Sequence, residues 1–187
     1  MSQLELLKKT INFLNTSNIE YMLTGSMVSS IQGEPRSTHD IDIIINIKEE
    51  NINKLFNFFL QPNFYLDKDS IIDAIKNNSM FNLINTKNGD KVDFWIYTDS
   101  EFDKSRFNRK YKHKFQDIEI SISSPEDTII AKLNWAKISG GSKKHIIDAL
   151  RVYEVQSEII NNNYLLYWIK KMKLQKEWKE LLKQLEQ

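Results

Sequence analysis

The sequence predicts a mixed α/β core followed by an all-helical segment. Three observations lead there. Residues 1–123 interleave short β-branched runs with amphipathic helical stretches. An Asn88-Gly89 pair between two apolar runs marks a hairpin. From Ser124 onward only helical periodicity is left. The chain of 187 residues therefore divides into a core over 1–123 and a helical segment over 124–187 packed on it.

Ser2 and Glu5 have the spacing of a capping box and open a helix to about Asn15, with Leu4, Leu7, Ile11 and Leu14 on one face. "IEYMLT" (19–24) is a short strand. Gly25-Ser26 starts a short helix through "MVSSIQ", which Gly33 and Pro35 end. "DIDIIINI" (40–47) is β-branched and apolar, as a central strand must be. "EENINKLFNFFL" turns Ile52, Leu55, Phe56 and Phe59 inward as a helix, and 69–77 is another. "MFNLINT" and "KVDFWIY" flank Asn88-Gly89, a pair suited to the primed hairpin turns. "SEFDKSRFNRKY" is read as a helix and the alternating "FQDIEISIS" as a strand. "SPED" then supplies an N-cap, a first-turn Pro and an acidic third position. Helices follow at 125–138, 142–156, 163–171 and 174–186.

The absence of cysteine excludes a disulfide scaffold and any thiolate metal site, and it fits a cytoplasmic protein. No apolar run is as long as a membrane span, and "MSQLELLKKT" is no signal peptide. A net charge of +1 gives no general pull toward nucleic acid. The charge is uneven, however, since "KSRFNRKYKHK" (104–114) holds six Lys or Arg and no acid.

Asp40 and Asp42 head the apolar strand one residue apart. Side chains alternate along a strand, so both point to one face, roughly 6.6 Å apart, while Ile41, Ile43 and Ile45 point to the other. Like charges so close repel, and burial deepens the cost. A cation between the carboxylates removes the conflict, and oxygen-only ligands select a hard ion such as Mg²⁺, with Mn²⁺ as a substitute. An EF-hand loop needs a Gly and further oxygen ligands after such a pair, where this chain has Ile43 to Ile45. Glycosidase acids flank a cleft and rarely share a strand. A phosphatase with an aspartyl nucleophile has its pair at the end of the strand, not at the head.

Gly25 can take positive φ and admit a phosphate close to the backbone, and Ser26 opens a helix whose free N–H groups attract anions. Two-metal chemistry wants a third carboxylate. Asp93 supplies it: it shares one face of its strand with Trp95 and Tyr97, opposite Val92, Phe94 and Ile96. Asp90 and Asp99 are the fallbacks, both in turn-like sequence.

Together "TGSMVSSIQGEPRSTHDIDIII" and "KVDFWIY" resemble the nucleotidyltransferase superfamily that includes DNA polymerase β. The look is that of a minimal bacterial branch related to AbiEii-type toxins, over about residues 20–155, with a helical continuation like "SPEDTIIAKLNWAK". The resemblance implies a twisted mixed sheet flanked by helices, with the three acids on adjacent strands. It implies transfer of NMP from an Mg-NTP, such as ATP, to an acceptor hydroxyl. Gly25 and Ser26 would hold the β- and γ-phosphates, Asp40 and Asp42 would bind Mg²⁺, and Asp93 would complete the second metal site and accept the proton. The chain departs from the smallest members in a longer spacer, 13 residues between Ser26 and Asp40. That loop brings Arg36 to the triphosphate or leaves it on the surface. The toxins' basic signature is only partly present.

Lys132, in "TIIAKLNWAK", matches a helix where relatives place a phosphate-contacting base, or it snorkels to solvent. Asp148 pairs either with Lys144 one helical turn away or with Lys132. The 104–114 run is a guide for RNA or triphosphate, or simply a solvated face. Trp95 and Tyr97 stack on a base or pack in the core, and His39 points away from Asp40. Trp135, Tyr153, Tyr164, Trp168 and Trp178 read as helix packing. The expected protein is a cytoplasmic, Mg²⁺-dependent nucleotidyltransferase whose acceptor is a tRNA, a protein or a small molecule such as an aminoglycoside. A toxin–antitoxin setting would add an antitoxin partner. The rivals are an antibiotic nucleotidyltransferase and a silent nucleotide- or RNA-binding module on the same fold.

Overall fold

The computed structural model describes residues 1–38 and 40–185; the expectation for His39 lies outside the described residues. The chain forms two compact units, one of residues 1–24 with 38–122, the other of residues 25–37 with 123–187.

Among the described residues the first unit holds seven strands in one mixed sheet: β1 (Tyr21–Thr24), β2 (Asp40–Ile45), β3 (Phe64–Tyr65), β4 (Met80–Asn85), β5 (Lys91–Ile96), β6 (Tyr111–Phe115) and β7 (Ile118–Ile122). Their order across the sheet is β3-β4-β5-β2-β1-β7-β6. β2 is central. It runs antiparallel to β1 and parallel to β5, and Ile41, Ile43 and Ile45 are fully buried. An all-apolar β-branched face explains that position, since a central strand has no solvent-facing edge to satisfy.

Helix α1 (Gln3–Thr16) opens with the capping box: Glu5 N–H donates to Ser2 Oγ at 3.3 Å and Ser2 N–H to Glu5 Oε2 at 2.6 Å. Leu7, Ile11 and Leu14 are buried as expected, joined by Leu6 and Phe13, while Leu4 is half-buried. α3 (Glu49–Phe58) buries Ile52 and Leu55, and Phe59 just beyond it meets Phe13 and Phe64 edge-on. α4 (Lys68–Asn77) and α5 (Glu101–Asn108) complete the unit; Ser100 caps α5 by accepting from Asp103 N–H at 3.1 Å.

Three local readings change. The β4–β5 hairpin forms, but over the five residues 86–90, with only Gly89 at positive φ (+76°). A two-residue type I′ turn would need Asn88 there too; instead Asn88 Oδ1 accepts from Asp90 N–H at 3.2 Å. "FQDIEISIS" is not one strand: Gln116, at φ +53°, turns β6 into β7. Gln-Asp carries no turn signature, so the sequence hid this. β6 and the two-residue β3 were missed because one is a lysine-rich edge strand and the other too short to show a period. Exposed Lys112 and Lys114 on β6 guard that edge against further pairing.

The second unit is helical: α2 (Gly25–Gln32), α6 (Pro125–Ile138), α7 (Lys143–Val155), α8 (Asn162–Lys171) and α9 (Gln175–Leu185). α2 ends against α7 so closely that a Cβ on Gly33 would lie 3.0 Å from backbone atoms of Arg151 and Val152. Ser124 caps α6 through Asp127 N–H, and buried Asp127 is satisfied by Ser124 Oγ and Tyr164 Oη, each at 2.7 Å. Tyr153 meets Trp178 edge-on and Trp168 is buried, while Trp135, 42% exposed, lays its ring 6.5 Å from that of His145 on α7. Among the described residues no helix is long and apolar enough to cross a membrane.

Candidate active site

Two clusters of ionisable side chains stand out, one in each unit. In the first, the parallel pairing of β2 and β5 sets Asp42 directly opposite Asp93 and Asp40 directly opposite Lys91. Residues in register across a sheet share a face about 4.8 Å apart. Asp40, Asp42 and Asp93 therefore line one face, at the heads of two adjacent strands. Their exposure falls across the site: Asp40 is exposed, Asp42 half-buried, Asp93 buried.

The cost of three like charges is met by donors from the sheet itself. Lys91 Nζ lies 2.8 Å from Asp93 Oδ2 and 3.4 Å from Asp40 Oδ1, bridging the two. Asn82, opposite Asp93 on β4, donates to Asp93 Oδ1. Trp95 Nε1 donates to Asp42 Oδ1 at 3.2 Å. The Asp93 carboxylate raises the pKa of Lys91, against a smaller opposing push from burial, with Asp40 adding its own attraction. Among the described residues, no three acidic or histidine side chains are gathered closely enough to enclose a metal as they stand. The donor set nonetheless suits a hard divalent ion: three carboxylates, no soft ligand, and a position between two of them already taken by positive charge.

Of the fallback acids, Asp90 accepts from Asn88 within the hairpin loop and Asp99 pairs with Lys104 at the surface. Trp95 and Tyr97, both half-buried, pack against the cluster of Met22, Ile44 and Phe107. In the basic run, Lys104 and Lys112 pair with acids at the surface, whereas Arg106 pairs with the buried Asp103 and Lys110, half-buried, reaches Glu20.

The second cluster gathers Ser26, Arg36, Lys132 and Asp148. Gly25, at φ +71°, makes the left-handed entry to α2 that favours glycine. Arg36 grips Asp148 with two prongs, Nε to Oδ1 at 3.0 Å and Nη2 to Oδ2 at 2.8 Å. Lys132 Nζ reaches Asp148 Oδ2 at 2.7 Å, and its side chain is only 4% exposed, so it does not snorkel. Both cations also donate to Ser26 Oγ, Arg36 at 3.1 Å and Lys132 at 3.4 Å. Ser30 fixes the Arg36 backbone, accepting its N–H at 2.7 Å and donating to its carbonyl at 3.0 Å. Asp148 thus turns to Lys132 and Arg36 in place of Lys144.

Burial alone would raise the pKa of Asp148; its hydrogen bonds and charge contacts with Arg36 and Lys132 outweigh that and hold it below the ordinary carboxylate value. Three residues earlier on α7, His145 has a buried Nδ1 without a hydrogen-bond partner, and burial followed by the charge of Lys132 lowers its pKa.

The mixed sheet and helices match solved structures over nearly the whole chain. The solution structure of the antibiotic-resistance factor ANT(2'')-Ia aligns with a TM-score of 0.54 at 11% identity, covering 95% of each chain. The crystal structure of an antigenic nucleotidyltransferase-like protein from Paracoccidioides brasiliensis aligns with a TM-score of 0.52 at 13% identity, covering 94% of this chain and 91% of that one. The chain has the nucleotidyltransferase fold. No protein-family model and no curated protein sequence matches it.

Reasoning from sequence missed Lys91, Asn82 and the polar role of Trp95. The first was open to discovery, because Lys91 stands two residues before Asp93 and must share its face. Nothing local pointed from Arg36 to Asp148, 112 residues away.

Proposed function

We propose that the protein is a cytoplasmic, Mg²⁺-dependent nucleotidyltransferase that moves NMP from an NTP to an acceptor hydroxyl. The observation that carries this reading is the register of β2 on β5, which aligns Asp42 with Asp93 two residues along from Asp40. Asp40 and Asp42 would ligate the metal, and Asp93 would complete the set and take the acceptor's proton. When bound, Mg²⁺ would neutralise charge growing on the phosphoryl oxygens. The acceptor oxygen forms a bond to the α-phosphorus as the bond from that phosphorus to the bridging oxygen breaks, and pyrophosphate leaves. Positioning and charge neutralisation supply the rate, with no covalent intermediate. Ser26 and the exposed edge of Arg36 would offer a hydroxyl and a cation to phosphate oxygens, with the buried charge of Lys132 behind them, and Gly25 would let the backbone approach.

Likeness in fold to an antibiotic-resistance factor over 95% of both chains supports a small hydroxyl-bearing acceptor. A tRNA or protein acceptor, with an antitoxin partner, belongs to the toxin-like reading, which rests on the sequence motif. The Lys91 bridge favours one rival, a nucleotide-binding module without turnover, in which the ammonium stands permanently where the metal would.

Each α-labelled NTP, with Mg²⁺ or Mn²⁺, is offered with tRNA, total protein and aminoglycosides in turn. Label should pass to one acceptor class, and Asp40→Ala/Asp42→Ala should lower transfer by at least about 100-fold, the loss typical of removing electrostatic stabilisation of a transition state. Undiminished transfer by the double variant would overturn the assignment; NTP binding without transfer would select the silent module.

A further inference from the structure

The element of the acid cluster that the transfer reaction does not use is Lys91. It makes two ion pairs on this face: 2.8 Å from Asp93, which is 7% exposed, and 3.4 Å from Asp40, which is open to solvent. Its own side chain is 39% exposed, so it reaches in from the rim and has room to leave. A lysine stem has four rotatable carbons, and its ammonium is a compact charge with no fixed fork. Asp93 also keeps Asn82 as a donor on its other oxygen, so its orientation does not depend on the lysine. Asp42 is held independently by Trp95.

We propose that Lys91 is an exchangeable internal counter-cation: it holds Asp40 and Asp93 together in the metal-free protein, and a divalent ion binds by displacing it. The inference rests on the metal role given to these acids above. Without such a cation, Asp40 and Asp93 would repel each other at a partly desolvated spot. With it, the site stays assembled until a metal arrives, and metal affinity is lower by the contacts the lysine must give up. Lys91 therefore sets the metal concentration at which the site loads.

The test uses Mn²⁺ as the probe on the full chain, with free ion counted by electron paramagnetic resonance and no nucleotide present. Lys91→Met keeps the stem and removes the charge. It should bind Mn²⁺ on the order of tenfold tighter than the parent, the factor that about 1.4 kcal/mol of lost competition produces. Lys91→Arg, which keeps a cation there, should stay near or below the parent affinity. Independently, amine-reactive labelling read by mass spectrometry should show Lys91 becoming more reactive when Mn²⁺ is added to the parent. Mn²⁺ binding with unchanged or weaker affinity in Lys91→Met overturns the competition and leaves the metal role standing. Mn²⁺ binding by neither parent nor Lys91→Met overturns the metal role and this inference together. A misfolded Lys91→Met, seen by circular dichroism, leaves the labelling result to decide: unchanged Lys91 reactivity on Mn²⁺ saturation refutes displacement.

Discussion

Removing the carboxylate charge from the Lys132–Asp148–Arg36 cluster of the second unit should be costly, because Lys132 and Asp148 are buried. Asp148→Asn preserves volume and leaves an acceptor oxygen, but it removes the counter-charge of Lys132. Lys132 has a side chain 4% exposed and cannot reach solvent, whereas that of Arg36 is 33% exposed and can. Breaking a buried pair by deleting one partner costs about 3–5 kcal/mol, and a partly exposed arm about 0–1 kcal/mol. The retained amide oxygen argues for the lower end, about 3 kcal/mol in all. In a chain of this size that is a fall in Tm of about 6–12 °C. Urea unfolding followed by circular dichroism measures it directly. The companion variant, Asp148→Leu with Lys132→Met, removes both charges and both desolvation costs, so it should recover most of the loss. A loss under about 1 kcal/mol in the single variant, or a double variant worse than the single, would refute the reasoning.

The remaining predictions are smaller. Gly25→Ala forces a side chain onto the left-handed φ of +71° and should cost roughly 1–2 kcal/mol, read as a lowered urea midpoint; no change would mean the turn is not built this way. The pH dependence of stability follows from two depressed values. His145 is held below its ordinary value of about 6.5, so the unfolded chain takes up its proton first, and stability should start to fall as pH drops below about 6.5. Asp148 adds stability that is full above about pH 3.9 and is lost as pH falls through its lowered folded value. Urea midpoints measured from about pH 7.5 downward test both, and His145→Gln should flatten the upper part of the slope.

How much could be read from sequence depended on whether a signal was local. The capping box of α1, the cap of α6 and the burial of Ile41, Ile43 and Ile45 each follow from residues a few positions apart, and each stands as expected. The register that brings Asp93 opposite Asp42 joins strands 51 residues apart (93 minus 42), yet alternation alone narrowed Asp93 to the right face. What escaped was non-local or unsigned. β6 hides in a run of cations because an edge strand answers to solvent rather than to a core. Asn82 and Trp95 were unsigned because a donor to a carboxylate leaves no periodic mark.

Both clusters carry their own counter-ion, and this shapes what each can bind. Three carboxylates against one ammonium give the acid cluster a formal charge of −2 (three minus one); a monovalent ion that replaced Lys91 would leave that charge unchanged, whereas a divalent ion would lower it to −1 (three minus two). Two cations against one carboxylate leave the other cluster at +1 (two minus one), with Ser26 Oγ already drawn toward both. An anion there need not strip Asp148 away. It can accept from the outward N–H groups of Arg36, the more exposed partner, while Asp148 keeps Lys132 charged and fixed. Under the proposed function the two clusters differ in kind: metal loading at the first would be an exchange of one cation for another, and anion binding at the second would be an addition to a pair that stays intact. Lys91→Met should therefore tighten its ligand, while Asp148→Asn should loosen the fold before it changes any affinity.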